Sequence, residues 1–589
     1  MNGRFVDSAH RSWTRVLATL RRVGRRRVRA SLLLGLLGLS GSVVLGLAQG
    51  VPLPSVHDEF SYLLGADTFS EGRLANPTHP HWQHFETFHV IQKPTYASKY
   101  PPGQAILLGL GQRLGGHPVV GLWLGSGLLA AALTWALLIW LPSHWGLLVG
   151  GFATVQLTWF SYWAQSYWGG AVAAVGGALA IGALRVIWRQ PRLGHAVILG
   201  IGLVLMSISR PFEGALVGFI IGGALLWRMV ASEIFTRRRL FVNGLLPAAA
   251  VVALGLAWQG YYNLKVTESP WTMPYQVDRQ HYAANPTFLF RSPGPVPDYR
   301  HREMERYWLE WGRARHEQQR ELVNILTTVP SKLTRLLFFF LGPGVIAIAG
   351  IRVRKSSGWT RLSFVGLGLV VGASLFTKGT FPHYIAPVTL WFLVVMGVGM
   401  AGLHRRARKK GTVNVAMATF VALAMSVCIA IGAFLTADHD SFAQDRHGML
   451  STLQERPGKH LVVVTYGPQH NYHEEWVYNR ADIDGAQVVW ARSIDPAKDR
   501  MLIEHFSDRS IWLLYVDDDW DLQPHPQAWK EPPPRSQQQV RPGSPVQMSR
   551  QPGSIGNRRS PGAFSSRGVL PSSLVISNRR RVAGPERLN

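Results

Sequence analysis

Between Ser31 and about Leu435 the chain carries one apolar run after another, each 15 to 24 residues long and most without charge. A hydrocarbon layer is about 30 Å thick and a helix rises about 1.5 Å per residue, so runs of this length match a bilayer. A soluble domain has no interior large enough to hide them all. Many of the 22 tryptophans stand near run ends, where amphipathic rings favour the membrane–water interface. The chain is therefore expected to be mainly α, a polytopic membrane protein of about eleven transmembrane helices. The spans fall at residues 31–47, 118–140, 144–160, 169–187, 195–209, 212–229, 244–262, 331–351, 362–376, 382–403 and 412–435.

A net charge of +27 invites a nucleic-acid partner, but its placement argues against one. The basic residues crowd into short connections at 21–29, 185–192, 228–239, 352–361 and 404–410. With eleven spans every one of these falls on the same side, the pattern of cytoplasmic loops. That puts the N-terminus inside and the C-terminus outside. The single cysteine, Cys428, lies within an apolar run, so neither disulfides nor a cysteine metal site is expected.

In order, residues 1–30 form a basic cytoplasmic segment and 31–436 a transmembrane domain, with outer loops at 50–117 and 263–330. A short amphipathic run at 104–114 is expected on the outer interface. Residues 437–522 read as a small α/β domain, with strands at 461–466, 486–490 and 511–515 and a helix at 497–506. Residues 523–589 are rich in Pro, Ser, Gln and Arg and are expected to be disordered.

On the outer side stand polar groups that are costly beside a bilayer unless they meet water, a partner or a ligand. Asp58 and Glu59 follow the first span. Lys93, Lys99 and Tyr100 precede Pro101-Pro102-Gly103. Arg210 and Glu213 share one tight turn, and Lys378, His383 and Tyr384 share another. One cavity with carboxylates and several cations suits a phosphate-bearing lipid: cations hold the phosphate and a carboxylate takes a proton from a hydroxyl. Each residue also has a plainer reading. Asp58-Glu59 could terminate a helix or pair with Arg73, Arg210-Glu213 could be a structural ion pair, Lys378 could snorkel, and His383 and Tyr384 could pack. Lys93 and Lys99 could be solvated loop charges. His79, His81, His84 and His89 show no ligand spacing, and His473-Glu474-Glu475-Trp476 lacks the second histidine of a helical zinc site.

The order basic N-terminus, first helix, outer Asp58-Glu59, long loop, Tyr100-Pro101-Pro102-Gly103, many spans and a soluble C-terminal part resembles the GT-C glycosyltransferases. These include protein O-mannosyltransferases and aminoarabinose transferases. Gly103 stands where many relatives have Leu. The resemblance implies a bacterial inner-membrane enzyme with its C-terminal domain in the periplasm. It implies sugar transfer from a polyprenyl-phosphate donor to a glycan, lipid or protein acceptor on the outer face. Asp58 and Glu59 match the acidic pair that supplies a base or metal ligand, so a divalent metal stays open. Lys99 lies where some relatives keep a basic residue near the phosphate; Arg210, Lys378, His383 and Tyr384 match by location only. The alternatives are a transporter or flippase of a lipid-linked anionic solute, against which no internal repeat is visible, and a membrane scaffold.

Overall fold

A computed structural model describes residues 15–352, 356–409, 441–517, 519–525 and 548–549. Among them seven helices are long and apolar enough to cross a bilayer: Arg27–Gln49 (α1), Val119–Trp140, Ala171–Arg189, Pro211–Val230, Ile234–Thr267, Gly358–Leu375 and Ala386–Ala407. The chain is a mostly helical, multi-pass membrane protein. Among the described residues the expected count of eleven is not confirmed, and a bent pair would raise seven to eight. The runs at 144–160 and 195–209 form helices of 16 and 15 residues, Ser143–Thr158 and Leu193–Ser207. The first stops where Ser161 starts a new turn, accepting the Trp163 amide; the second stops before Pro211, which cannot continue a helix from Leu193–Ser207. The run at 331–351 is a helix, Leu322–Leu341, followed by a segment bent from it by 96°. The expected span at 412–435 lies outside the described residues, as does the tail at 523–589 apart from residues 523–525 and 548–549.

Burial separates the spans by role. Ala386–Ala407 and Ala171–Arg189 are 83% and 72% buried over their apolar windows, while Ile234–Thr267 is only 17% buried. The latter turns Leu246, Leu254 and Leu256 outward, as a helix facing lipid does. Between the first two long spans lie the helices that carry the site. His57–Ser70 (α2) is followed by a two-stranded hairpin, Val90–Ile91 with Ala97–Ser98, and then by Gly103–Gly115 (α3). At 13 residues α3 is too short to cross a bilayer. It packs on α2 and on Val119–Trp140. The contact is backbone to backbone: a Cβ on Gly111 would stand 1.9 Å from the Gly121 amide nitrogen.

The C-terminal part begins with the helix Ser441–Glu455. Its sheet is mixed, with Lys459–Tyr466 (β1) central, Val488–Arg492 (β2) parallel on one side and Arg509–Val516 (β3) parallel on the other; Trp520–Pro524 adds antiparallel to β3. The helix Pro496–His505 (α4) joins β2 to β3, the long crossover that parallel strands require. β1 and β2 are buried almost throughout, as strands covered on both faces are.

This sheet region is docked on α2. Residues four apart share a helix face, and α2 has two apolar faces. Tyr62 and Ala66 join the core of the membrane helices, while Phe60 and Leu64 join Trp476, Tyr478 and Trp490 in the core of the sheet region. Polar clamps reinforce the junction. Arg480 donates to both oxygens of Asp67, at 2.7 and 3.3 Å, and Asp67 also accepts from the Ala481 amide. Arg492, fully buried, pairs with Glu475 in its own region and with Glu303 of the 263–330 loop.

Candidate active site

Asp58 and Glu59 occupy the first turn of α2, where the helix dipole favours negative charge. From there they diverge. Glu59 is 2% exposed. One of its oxygens accepts the amides of Ser55 and Val56, at 2.9 and 3.4 Å, and the other accepts the Tyr167 amide at 3.0 Å. It reaches back to cap its own helix and ties that helix to the loop before Ala171–Arg189. Asp58 instead points to Tyr100, whose hydroxyl donates a short hydrogen bond to it. Its other oxygen is 3.9 Å from His89 Nε2. The two carboxylates thus do not converge on one ion, and the charges of Lys99 and Arg210 act on Asp58. The pair does not fit a divalent metal site.

Burial pushes the Asp58 carboxyl above its ordinary value, although the Tyr100 hydrogen bond and the charges of Lys99 and Arg210 pull the other way. A carboxylate so placed is a stronger base than one in water. Tyr100 is fixed by stacking on Tyr62, with ring centroids 4.5 Å apart. The residues after it explain its placement. Pro102 precedes the first residue of α3, and the Gly103 amide donates to the Ile208 carbonyl at 2.7 Å. A Cβ at Gly103 would lie 2.3 Å from Ser209 Oγ. Glycine is therefore what lets α3 abut the turn that carries Arg210.

The cations gather with few counter-charges. Lys99 Nζ lies 3.3 Å from Asp278. Arg210, Lys378 and Arg315 have no carboxylate within 4.0 Å among the described residues; they lie on aromatic faces instead. Arg210 is 4.8 Å from the Tyr384 ring centre, and Lys378 and Arg315 are 4.4 and 5.7 Å from that of Trp311. Burial, then the charges of Arg315, Lys99 and Arg279, push the Lys378 ammonium down to about 7. Burial beside Asp58 and Glu213 pushes the Tyr384 hydroxyl up to about 12 despite Arg210.

The other singled-out residues are placed less centrally. Lys93 is exposed, with its ammonium 4.5 Å from the Trp82 ring centre and no contact to Asp58 among the described residues. Glu213 is buried in the first turn of Pro211–Val230 without a direct ion pair to Arg210. His383 is 1% exposed, hydrogen-bonds Tyr162 at 2.8 Å and packs on Trp168, Phe381 and Tyr384. It holds the turn that presents Tyr384.

Four residues at the site carried no mark in the sequence reading as site residues. His89 adopts a left-handed backbone, φ 66°, held by Ser61 Oγ and the Lys99 amide on its carbonyl; strain of this kind in a non-glycine residue clusters at functional sites. His57 bonds the Tyr478 hydroxyl at 3.0 Å. Tyr307 packs on both His57 and His89, with ring centroids 5.4 and 5.8 Å away. Arg315 sat unremarked in a charged helical stretch. The position of His57 directly before Asp58 was the one available signal.

No protein-family model matches this chain, and no curated protein matches it. Solved structures do resemble it in overall course. ArnT from Cupriavidus metallidurans in the apo state aligns with TM-score 0.45 and 14% identity, over 82% of this chain and 93% of that one. The Archaeoglobus fulgidus oligosaccharyltransferase tethered with an acceptor peptide aligns with TM-score 0.44 and 11% identity, over 82% and 68%. The same archaeal enzyme, AglB, in complex with an inhibitory peptide and a dolichol-phosphate gives TM-score 0.38 and 11% identity, over 82% and 69%. Residue roles below rest on the contacts of this chain alone.

Proposed function

We propose that the protein is a membrane glycosyltransferase that moves a sugar from a polyprenyl-phosphate donor to an acceptor hydroxyl. One observation carries this reading. Lys99, Arg210, Arg315 and Lys378 gather near the half-buried carboxylate of Asp58 with one direct carboxylate partner, Asp278, among them. Like charges held together in a poorly solvated place call for an anion, and a phosphate meets that need.

The donor phosphate lies among Arg210, Lys378, Arg315 and Lys99, with its sugar toward Asp58. Asp58 takes the proton of the acceptor hydroxyl as that oxygen attacks the anomeric carbon. The bond from that carbon to the phosphate oxygen breaks, and the electron pair leaves with polyprenyl phosphate. Arg210, Lys378 and Arg315 stabilise the charge that builds on the phosphate. Tyr100 orients Asp58, and Glu59 fixes the helix turn that carries it. The reaction takes place on the outer face of a bacterial inner membrane, with the N-terminus in the cytoplasm and the sheet region in the periplasm. Acceptors in reach are glycans, lipids or proteins.

Membranes containing the protein, given a labelled polyprenyl-phosphate sugar, should yield labelled acceptor. Asp58→Asn should lower that rate about 100-fold or more at equal protein level, the worth of general base catalysis. Full activity in Asp58→Asn would overturn the role given to Asp58.

A further inference from the structure

Far along the same loop from Asp58, a second group of ionisable side chains joins the loop to the sheet region. His79 Nε2 is 3.2 Å from Asp484 Oδ1, and His505 Nε2 is 3.1 Å from the same atom. One donor atom from each of the three residues lies within 4.8 Å of the others. His81 stands beside them, its ring centroid 5.0 Å from that of His505 and 5.9 Å from that of His79. The three residues come from separate stretches of chain: His79 from the first loop, Asp484 from the connection before β2, His505 from the end of α4.

We propose that His79, Asp484 and His505, with His81 as a fourth ligand, bind a zinc ion that clamps the first loop to the C-terminal sheet region. The donor set is the borderline nitrogen and carboxylate mixture that zinc takes. Bonds of about 2.0–2.1 Å in a tetrahedron place ligand atoms ~3.3 Å apart, close to the two separations found here. His79 is set rigidly: its ring meets Phe85 edge-on at 4.8 Å and stacks on Phe506 at 5.8 Å. Asp484 is 60% exposed and His505 34% exposed along their side chains, which gives an ion a path in.

Without metal, the His81 amide donates to His79 Nδ1 at 3.0 Å, so Nε2 carries the proton and donates it to Asp484. Zinc binding moves that proton to Nδ1 and gives up the bond from the His81 amide. His505 shifts its proton in the same way. No oxidation change is involved, and the site is independent of the sugar-transfer reading.

The test uses full-length protein without a histidine tag, in lipid nanodiscs, stripped with chelator and titrated with zinc against a chromophoric competitor. One zinc per chain should bind, and X-ray absorption should show nitrogen and oxygen ligands only, at about 2.0 Å, with imidazole scattering. The double variant Asp484→Asn/His505→Ala should bind about 100-fold more weakly or worse. Both side chains are exposed, so this variant should keep its fold, read from an unchanged elution profile. Zinc should also slow amide exchange in residues 79–85 of the wild type and not of the variant. Substoichiometric zinc on the wild type, or equal zinc on the double variant, would overturn the proposal and leave a hydrogen-bonded histidine–aspartate junction only.

Discussion

At the scale of single residues, the site rests on a carboxylate made more basic by desolvation and a lysine made acidic by burial and then by its cationic neighbours. Lys378 has the more readable titration. In the proposed mechanism its charged form holds the donor phosphate, and its ammonium is pushed down to about 7, so donor binding should weaken as pH rises past that value. Bound phosphate favours the charged form, so the limb should move upward as donor saturates. The expected size is about tenfold in KM, one charge-assisted hydrogen bond. A pH series of donor KM checks it, and Lys378→Arg should abolish the limb because arginine stays charged. The two adjacent carboxylates should also separate by experiment. Glu59→Gln keeps the shape but cannot accept from three amides as an anion does; it should lower thermal stability by about 1–3 kcal/mol, measured by melting in detergent. Asp58→Asn should leave the melting temperature unchanged or raise it, because the fold disfavours the charged form of this half-buried carboxyl. Sequence marked Asp58, Lys99, Arg210 and Lys378 through their cost near a membrane. It could not rank Glu59 below Asp58, since adjacency hides which way a side chain turns. Lys93 looked equivalent to Lys99 for the same reason, six residues apart in a loop whose hairpin sends them to different places.

At the scale of elements, Arg492 at the end of β2 is the telling case. It lies between Glu475 and Glu303 with 2% exposure. Removing it strands two buried carboxylates, so Arg492→Met should cost about 3–5 kcal/mol, seen as a large fall in melting temperature. Adding Glu475→Gln should restore part of it, because one stranded charge is gone. Long spans such as Val119–Trp140 were legible because length and lack of charge alone decide them. The strands of the sheet region were legible from their β-branched runs. The count was less so. A 16-residue helix and a helix that bends by 96° are apolar stretches in the sequence like a straight span, and only their length and packing in the fold distinguish them. The role of Gly103 was visible as a departure from the family pattern, but its reason, the Ile208–Ser209 turn pressed against it, lies over 100 residues away.

At the scale of the whole molecule, α2 is held from two sides, by membrane helices through Tyr62 and Ala66 and by the sheet region through Phe60 and Leu64. Tyr478 reaches from that region to His57, next to Asp58. A chain ending at residue 440 should therefore lose sugar transfer and stable expression together, judged by activity and yield in membranes. A truncated chain that keeps full activity would show that α2 needs only its membrane face. The sequence presented the C-terminal part as a separate body, since an interface built from Phe60, Leu64 and Arg480 leaves no periodic trace. The doubly covered helix also sets a timetable for biosynthesis. Phe60 and Leu64 leave the ribosome early, yet their partners from β1 onward are made some 400 residues later, roughly 20 to 80 seconds at ordinary synthesis rates. Through that interval the apolar face of the helix that bears Asp58 has only first-loop partners such as Phe85, Val90 and Tyr96, so the site is completed near the end of translation, and products released early carry that face partly bare.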